Sequence, residues 1–383
     1  MNVAECFCLK DGRDNFSVDP ERDDAYFFGP PEWVQQIQRH FQRSILLNKP
    51  IRIVWWGDYG VGKTHRVKYA MRYIKNQSLP FHSVFAVSSD ITDKSGFDRL
   101  HYPMVNNLGA IEMHGIVKQF VQKFDQNATS YSDWSELAHS EDVISAIKNL
   151  GNTNDPNWRA AWKWLTGIPL GKNEPTLAGV TKEQIDSSVE YAEVLRALSL
   201  IIQHERQKGL MYFIDQVERL SKITNANAQS TWVETLRAIL DISEIGIVLS
   251  VGASRLDQLP AVVLAPEVAS RFGKESYEKH HIKAYHEDEA ALFLKDLFAE
   301  WVDMAKRDAL AATEAWTAPL YDPALYPFTE PAFRVFCKNV THDPRDAKPR
   351  AFLEKLNNVA AEACMEQRRI IDKSFLLGMG FSD

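Results

Sequence analysis

Apolar positions along the chain recur in two rhythms. In PPEWVQQIQRHFQRSILLN, Val34, Ile37, Phe41 and Ile45 fall on one helical face, with Pro31 near the start. IRIVWWGD follows, a short apolar run rich in β-branched and aromatic residues that predicts a buried strand. Four similar runs come later: SVFAVSS (83–89), GLMYFID (209–215), GIVLSVGAS (246–254) and HHIKAY (280–285). Helical patterns separate them, such as THRVKYAMRYIK after the first run and WVETLRAILDI before the fourth. Strands alternating with helices predict an α/β protein, a three-layer αβα core around a five-stranded parallel sheet.

The interval between the second and third strands is long and helical in pattern. It carries IEMHGIVKQFVQKF, DVISAIKNL, WRAAWKWLTG and VEYAEVLRALSLIIQHERQ, which predict a helical insertion over about residues 110–205. Beyond residue 285 only helical periodicity remains, in EDEAALFLKDLFAEW and AFLEKLNNVAAEACME. The expected domains are therefore an irregular, polar arm (1–25), a core (26–285) and a C-terminal α-helical lid (286–383).

Composition adds limits. The 383 residues are 45% hydrophobic and 25% charged, ample for a large core plus a smaller domain. A formal net charge of −7 gives no global attraction to nucleic acid or an anionic membrane, so any DNA contact must come from a local basic patch or be shared with a partner. No run reaches the roughly 20 apolar residues of a membrane span. The acidic opening MNVAECFCLKDGRD is unlike a signal peptide. Cys6, Cys8, Cys337 and Cys364 lack metal-finger spacing and are expected as reduced thiols of a cytoplasmic protein.

The chemistry centres on Gly57-Asp58-Tyr59-Gly60-Val61-Gly62-Lys63-Thr64, a full match to the phosphate-loop pattern G-x-x-x-x-G-K-[ST]. The glycines let backbone N–H groups turn inward around phosphates, Lys63 supplies a positive charge, and the Thr64 hydroxyl is a ligand for Mg. The following helix, which includes His65, points its positive dipole end at the same anion. A strand before the loop and an amphipathic helix after it make a ligand-free turn the poorer reading. In GLMYFIDQVERL an apolar strand leads into Asp215, placed as a second metal-side acid; a helix-capping acid after a buried strand is the poorer reading. Where a water-orienting glutamate is expected stands Gln216, with Glu218 two residues on, so either could orient water. ATP is favoured over GTP, because the Asn48-Lys49 pair precedes the loop and lacks a partnering aspartate; no LSGGQ-like signature is present.

The order of GDYGVGKTH, FIDQVERL, GIVLSVGAS, PEVASRFG and LYPFTEPAFRVF…DPRDAKPRAFLEKLNNVAAEA resembles AAA+ ATPases. It is similar to the origin-recognition and helicase-loader clade and to ATP-binding proteins of phage-defence (BREX-type) operons, over about residues 25–370. WKWLTG shares the second likeness, and the DQ-x-E form is similar to STAND-type signalling ATPases. The resemblance implies a sheet ordered 5-1-4-3-2, nucleotide at the core–lid junction, and a homo-oligomeric ring or filament with shared active sites. It also implies that Ser254 (or Ser250) is the first sensor and that Arg271 is a finger reaching a neighbour's site. Arg350 would be the lid sensor, with Arg345 competing, and Phe27–Trp33 would form part of an adenine pocket. Each arginine could instead be a surface ion pair. The clade's pattern is broken by Gln216 and by the long insertion, whose Trp158, Trp162 and Trp164 either serve a partner or fill a helical core. Lys94 and Arg99, in the polar loop after the second strand, could face DNA or solvent.

Three functions follow. The first is an AAA+ ATPase using ATP and Mg to drive conformational change or assembly in a multiprotein, DNA-associated system, antiphage or loader-like, with any effector activity on a partner chain. The second is an ATP-gated signalling scaffold with slow turnover. The third, a small-molecule kinase, fits the acidic strand and lid less well.

Overall fold

The β-branched and aromatic runs become strands because their side chains can be buried on both faces of a sheet. The computed structural model describes residues 2–88, 90–317 and 321–383. Its strands are β1 (Arg52–Gly57), β2 (Phe81–Val87), β3 (Gly209–Asp215), β4 (Ile245–Gly252) and β5 (His281–Ile282). They form one sheet in the order β2-β3-β4-β1-β5, the implied 5-1-4-3-2 read from the other edge. The pairs β1–β4, β3–β4 and β2–β3 are parallel, with Ile53 opposite Val248 and Tyr212 opposite both Val84 and Ile247. Every residue of β4 is buried, as a central strand covered on both faces requires.

The last strand is shorter than the six residues expected from HHIKAY. By Tyr285 the backbone has turned away: its N–H donates to the Ala347 carbonyl at 2.8 Å instead of to a strand. The strand expected over 83–89 ends at Val87, and residue 89 lies outside the described residues.

The chain divides into two units. One comprises residues 39–57 and 73–281 and holds the sheet and the insertion. The insertion is helical, with helices Ala110–Asp125, Glu141–Leu150, Asp155–Leu165 and Ser188–Arg206. Trp158, Trp162 and Trp164 are all buried in this unit's core, so they fill it. Trp158 stacks on His114 at 4.6 Å.

The second unit comprises residues 1–38, 58–72 and 282–383, so the phosphate loop and the N-terminal residues group with the lid. The N-terminal segment is irregular apart from the short helix Val3–Cys6, yet Cys6, Phe7, Leu9 and Phe16 are buried in the same core as Leu297, Trp301 and Phe336. Its apolar residues are few and lack helical or strand periodicity, so the pattern reads as a loose arm. All four cysteines are free and buried, and burial pushes the Cys337 thiol up to about 12. Among the described residues no helix is long and apolar enough to cross a membrane.

Candidate functional site

Within the lid-containing unit, the loop after Gly57 turns through left-handed backbone at Gly60 (φ +85°) and Gly62 (φ +91°), conformations that disfavour any Cβ. The helix Lys63–Asn76 starts at the motif lysine, so its first N–H groups and its dipole face the loop. Lys63 is 9% exposed and its Nζ donates to the Asp58 carbonyl at 2.7 Å, which holds the ammonium over the loop, 5.4 Å from the Tyr59 ring. The Tyr59 N–H donates to Asp58 Oδ1 at 2.8 Å. His65 meets the Tyr26 carbonyl through Nε2 at 2.7 Å; its Nδ1 is buried with no hydrogen-bond partner. Burial lowers its pKa, against the opposing pull of that carbonyl, so the ring is neutral near pH 7.

The aromatic segment lies against this helix. Arg66 is buried, with its guanidinium 4.9 Å from the Trp33 ring centre and 5.9 Å from that of Phe27, while Phe27 packs on Tyr69 at 5.0 Å. Burial brings the Arg66 pKa down to about 10. In this structure the Phe27 and Trp33 rings are packed against an arginine of their own chain.

The start of the lid helix Pro349–Met365 also lies on the loop. The Arg350 N–H points at the Gly60 carbonyl (3.4 Å), and Lys348 Nζ pairs with Asp58 Oδ2 at 2.6 Å. Arg345 points elsewhere: it is 86% exposed and paired with Asp343. Of the two competing arginines, only Arg350 is brought to the loop. Lys348 was not singled out by sequence reasoning. The signal was a lysine directly before the helix-starting proline, a poor helix-capping residue needing another explanation.

The sheet-containing unit holds the acidic strand end. Asp215, 2% exposed at the end of β3, accepts a 2.5 Å bond from Ser250 Oγ on β4. Ser250, the fallback sensor, is thus in contact with the acid. Ser254 lies beyond β4, exposed, its N–H bonded to Gln258. Gln216 adopts left-handed backbone (φ 58°, ψ 36°) as the chain turns into the short helix Val217–Lys222. Glu218 turns inward, and its carboxylate accepts from the Gly252 N–H at 2.7 Å. Arg271, in the helix Pro266–Phe272, makes a two-pronged pair with Asp241 of its own chain at 2.8 and 3.0 Å.

No cluster of three or more His, Cys, Asp or Glu side chains able to hold a metal exists among the described residues. A hard cation held by one hydroxyl, one carboxylate and substrate phosphates needs none.

Sheet order and phosphate loop together define a P-loop NTPase fold. Residues 97–254 match the family model described as BREX system ATP-binding protein BrxC/D, and the chain resembles that family over this stretch. The match begins after the phosphate loop and ends at Ser254, two residues past β4. No curated protein matches the chain. Among solved structures it is similar to the Orc1 protein of Aeropyrum pernix in complex with DNA (10% identity, covering 98% of this chain and 68% of that one, TM-score 0.44). It is similar too to Cdc6p from Pyrobaculum aerophilum (14% identity, 92% and 68% covered, TM-score 0.46). A third is the RuvB Holliday junction branch migration motor of Thermotoga maritima (10% identity, 92% and 68% covered, TM-score 0.39).

Proposed function

We propose that this protein is an ATPase that uses ATP binding and hydrolysis to drive conformational change or assembly in a multiprotein, DNA-associated phage-defence system. The observation that carries this reading is the complete phosphate loop, with Lys63 drawn over it by the Asp58 carbonyl at the start of a fourteen-residue helix. The match of residues 97–254 to a BREX ATP-binding family supports the defence setting. In this reading the loop amides and Lys63 bind the phosphates. Thr64 and Asp215 would hold Mg, which would neutralise phosphate charge, and Ser250 fixes the Asp215 carboxylate. Arg350 reports the nucleotide to the lid, and Arg271 serves a neighbouring copy.

A second reading, a nucleotide-gated scaffold with slow turnover, has its own support. Glutamine follows Asp215, and the Glu218 carboxylate is committed to the Gly252 N–H. One experiment separates the two: ATP turnover with and without double-stranded DNA, alongside mass measurement in ATP and ADP. DNA-stimulated turnover with nucleotide-dependent oligomers is the expected result. Tight ATP retention with negligible turnover would favour the scaffold. ATP binding unchanged by Lys63→Ala would defeat both.

A further inference from the structure

Asp58 is an awkward residue for its position. It stands second in a loop whose backbone is shaped for phosphate, and a carboxylate there opposes every negative charge the loop takes up. Lys348 is awkward too. It occupies the N-cap of the helix Pro349–Met365 and offers no capping side-chain bond to the helix's exposed N–H groups, and an ammonium there opposes the positive end of the helix dipole. The two misfits meet: Nζ and Oδ2 are 2.6 Å apart, with the lysine side chain 14% exposed and the aspartate 37%.

The approach is close around this pair. A Cβ added at Gly60 would come within 3.3 Å of the Arg350 Cβ and 3.8 Å of the Lys348 Cβ, so the lid helix start sits flush on a glycine of the loop. The Arg350 N–H aimed at the Gly60 carbonyl is a second tie at the same place. The remaining Asp58 oxygen accepts the Tyr59 N–H, which fixes the carboxylate instead of letting it swing away.

We propose that Lys348 is a positioning residue for nucleotide binding. Through its ion pair it cancels the Asp58 charge inside the phosphate loop, so that the lid must be seated for the loop to present a net positive face to a polyphosphate. This rests on the ATP-binding reading above and adds a residue to it. Lys348 acts through Asp58, so its removal hurts only while the carboxylate remains. Its loss should cost more for ligands with more phosphate charge, and more at low ionic strength, where such repulsion is less screened.

The test is a double-mutant cycle on the full chain, reading ATP and ADP affinity by titration calorimetry at two salt concentrations. Lys348→Ala is expected to weaken ATP binding by about tenfold and ADP binding by less, with a larger defect at low salt. Asp58→Asn combined with Lys348→Ala is expected to return ATP affinity to within about threefold of the wild type, and Lys348→Arg to retain it. If Lys348 merely held the lid in place, the double variant would bind no better than Lys348→Ala, and that outcome overturns the proposal. ATP binding by the wild type that Lys348→Ala leaves within twofold overturns this proposal alone. A wild-type chain that binds no ATP overturns the functional reading and this inference together.

Discussion

Gln216 holds a conformation that costs something. At φ 58° an L-residue other than glycine is strained by about 1 kcal/mol, so a glutamine there is poorly suited to the turn unless its side chain is used. Glu218, the competing base, is anchored: its carboxylate takes the Gly252 N–H at 2.7 Å and so links the turn after β3 to the end of β4. The division of labour we expect is Gln216 orienting water and Glu218 bracing the turn. Gln216→Gly should raise folding stability by about 1 kcal/mol in urea titrations while ATP turnover falls and ATP binding persists. Glu218→Gln should do the reverse, lowering stability by about 1–2 kcal/mol through a weakened charge-assisted bond and changing turnover less. Turnover surviving in Gln216→Gly but lost in Glu218→Gln would reverse the assignment.

At the scale of elements, the helix that precedes the insertion stores a pH dependence that its sequence does not advertise. His101, on the helix Asp98–Asn106, is fully buried; burial drives its pKa down to about 4, only partly opposed by its bond to the Leu165 carbonyl. Unfolded, the same ring takes up a proton near its ordinary value. Stability is therefore complete above about pH 6.5 and falls as pH drops toward 4, by about 3 kcal/mol. His40 and His82 are lowered by burial as well and add to the slope. Replacement by a neutral amide that can still meet the Leu165 carbonyl isolates the His101 share: His101→Gln should flatten the loss of urea stability between pH 6.5 and 4, and an unchanged slope would show that the proton goes elsewhere. This helix was not legible in the sequence: Arg99, expected in a polar loop, lies on it. GLMYFID predicts β3 to the residue, because a run buried on both faces is continuous in apolar side chains and is closed by a charge. HHIKAY misleads, because a hydrogen bond from Tyr285 to distant Ala347 ends β5, and pattern carries no long-range pairing. For the same reason the phosphate loop was plain as a local motif, whereas its tie to Lys348, 290 positions later in the chain, was not.

For the whole molecule, the test of sites shared between copies lies with Arg271. In the single chain its guanidinium is held by Asp241, the pairing that chiefly lowers the Asp241 pKa, with Arg237 also 3.9 Å from that carboxylate. An exposed pair of this kind is worth about 1 kcal/mol or less, so a denser negative charge from a neighbouring copy can displace it. If Arg271 serves a neighbour, Arg271→Ala should bind ATP normally and fail in turnover, whereas Lys63→Ala should fail in binding. Each variant then lacks what the other keeps. Mixed in equal amounts, the two should recover activity, because in a head-to-tail assembly an intact Lys63 site can face an intact Arg271 from the next subunit. With random mixing about one interface in four is of that kind, so roughly a quarter of wild-type turnover is expected. An arginine acting within its own chain, or one serving only as a surface ion pair, gives no such recovery. Asp241→Asn sharpens the same test from the other side. Freed from its own carboxylate, Arg271 should reach a neighbour more readily, so turnover should rise with protein concentration at lower values than in the wild type; an unchanged concentration dependence would mean that the Asp241 pair does not restrain the finger.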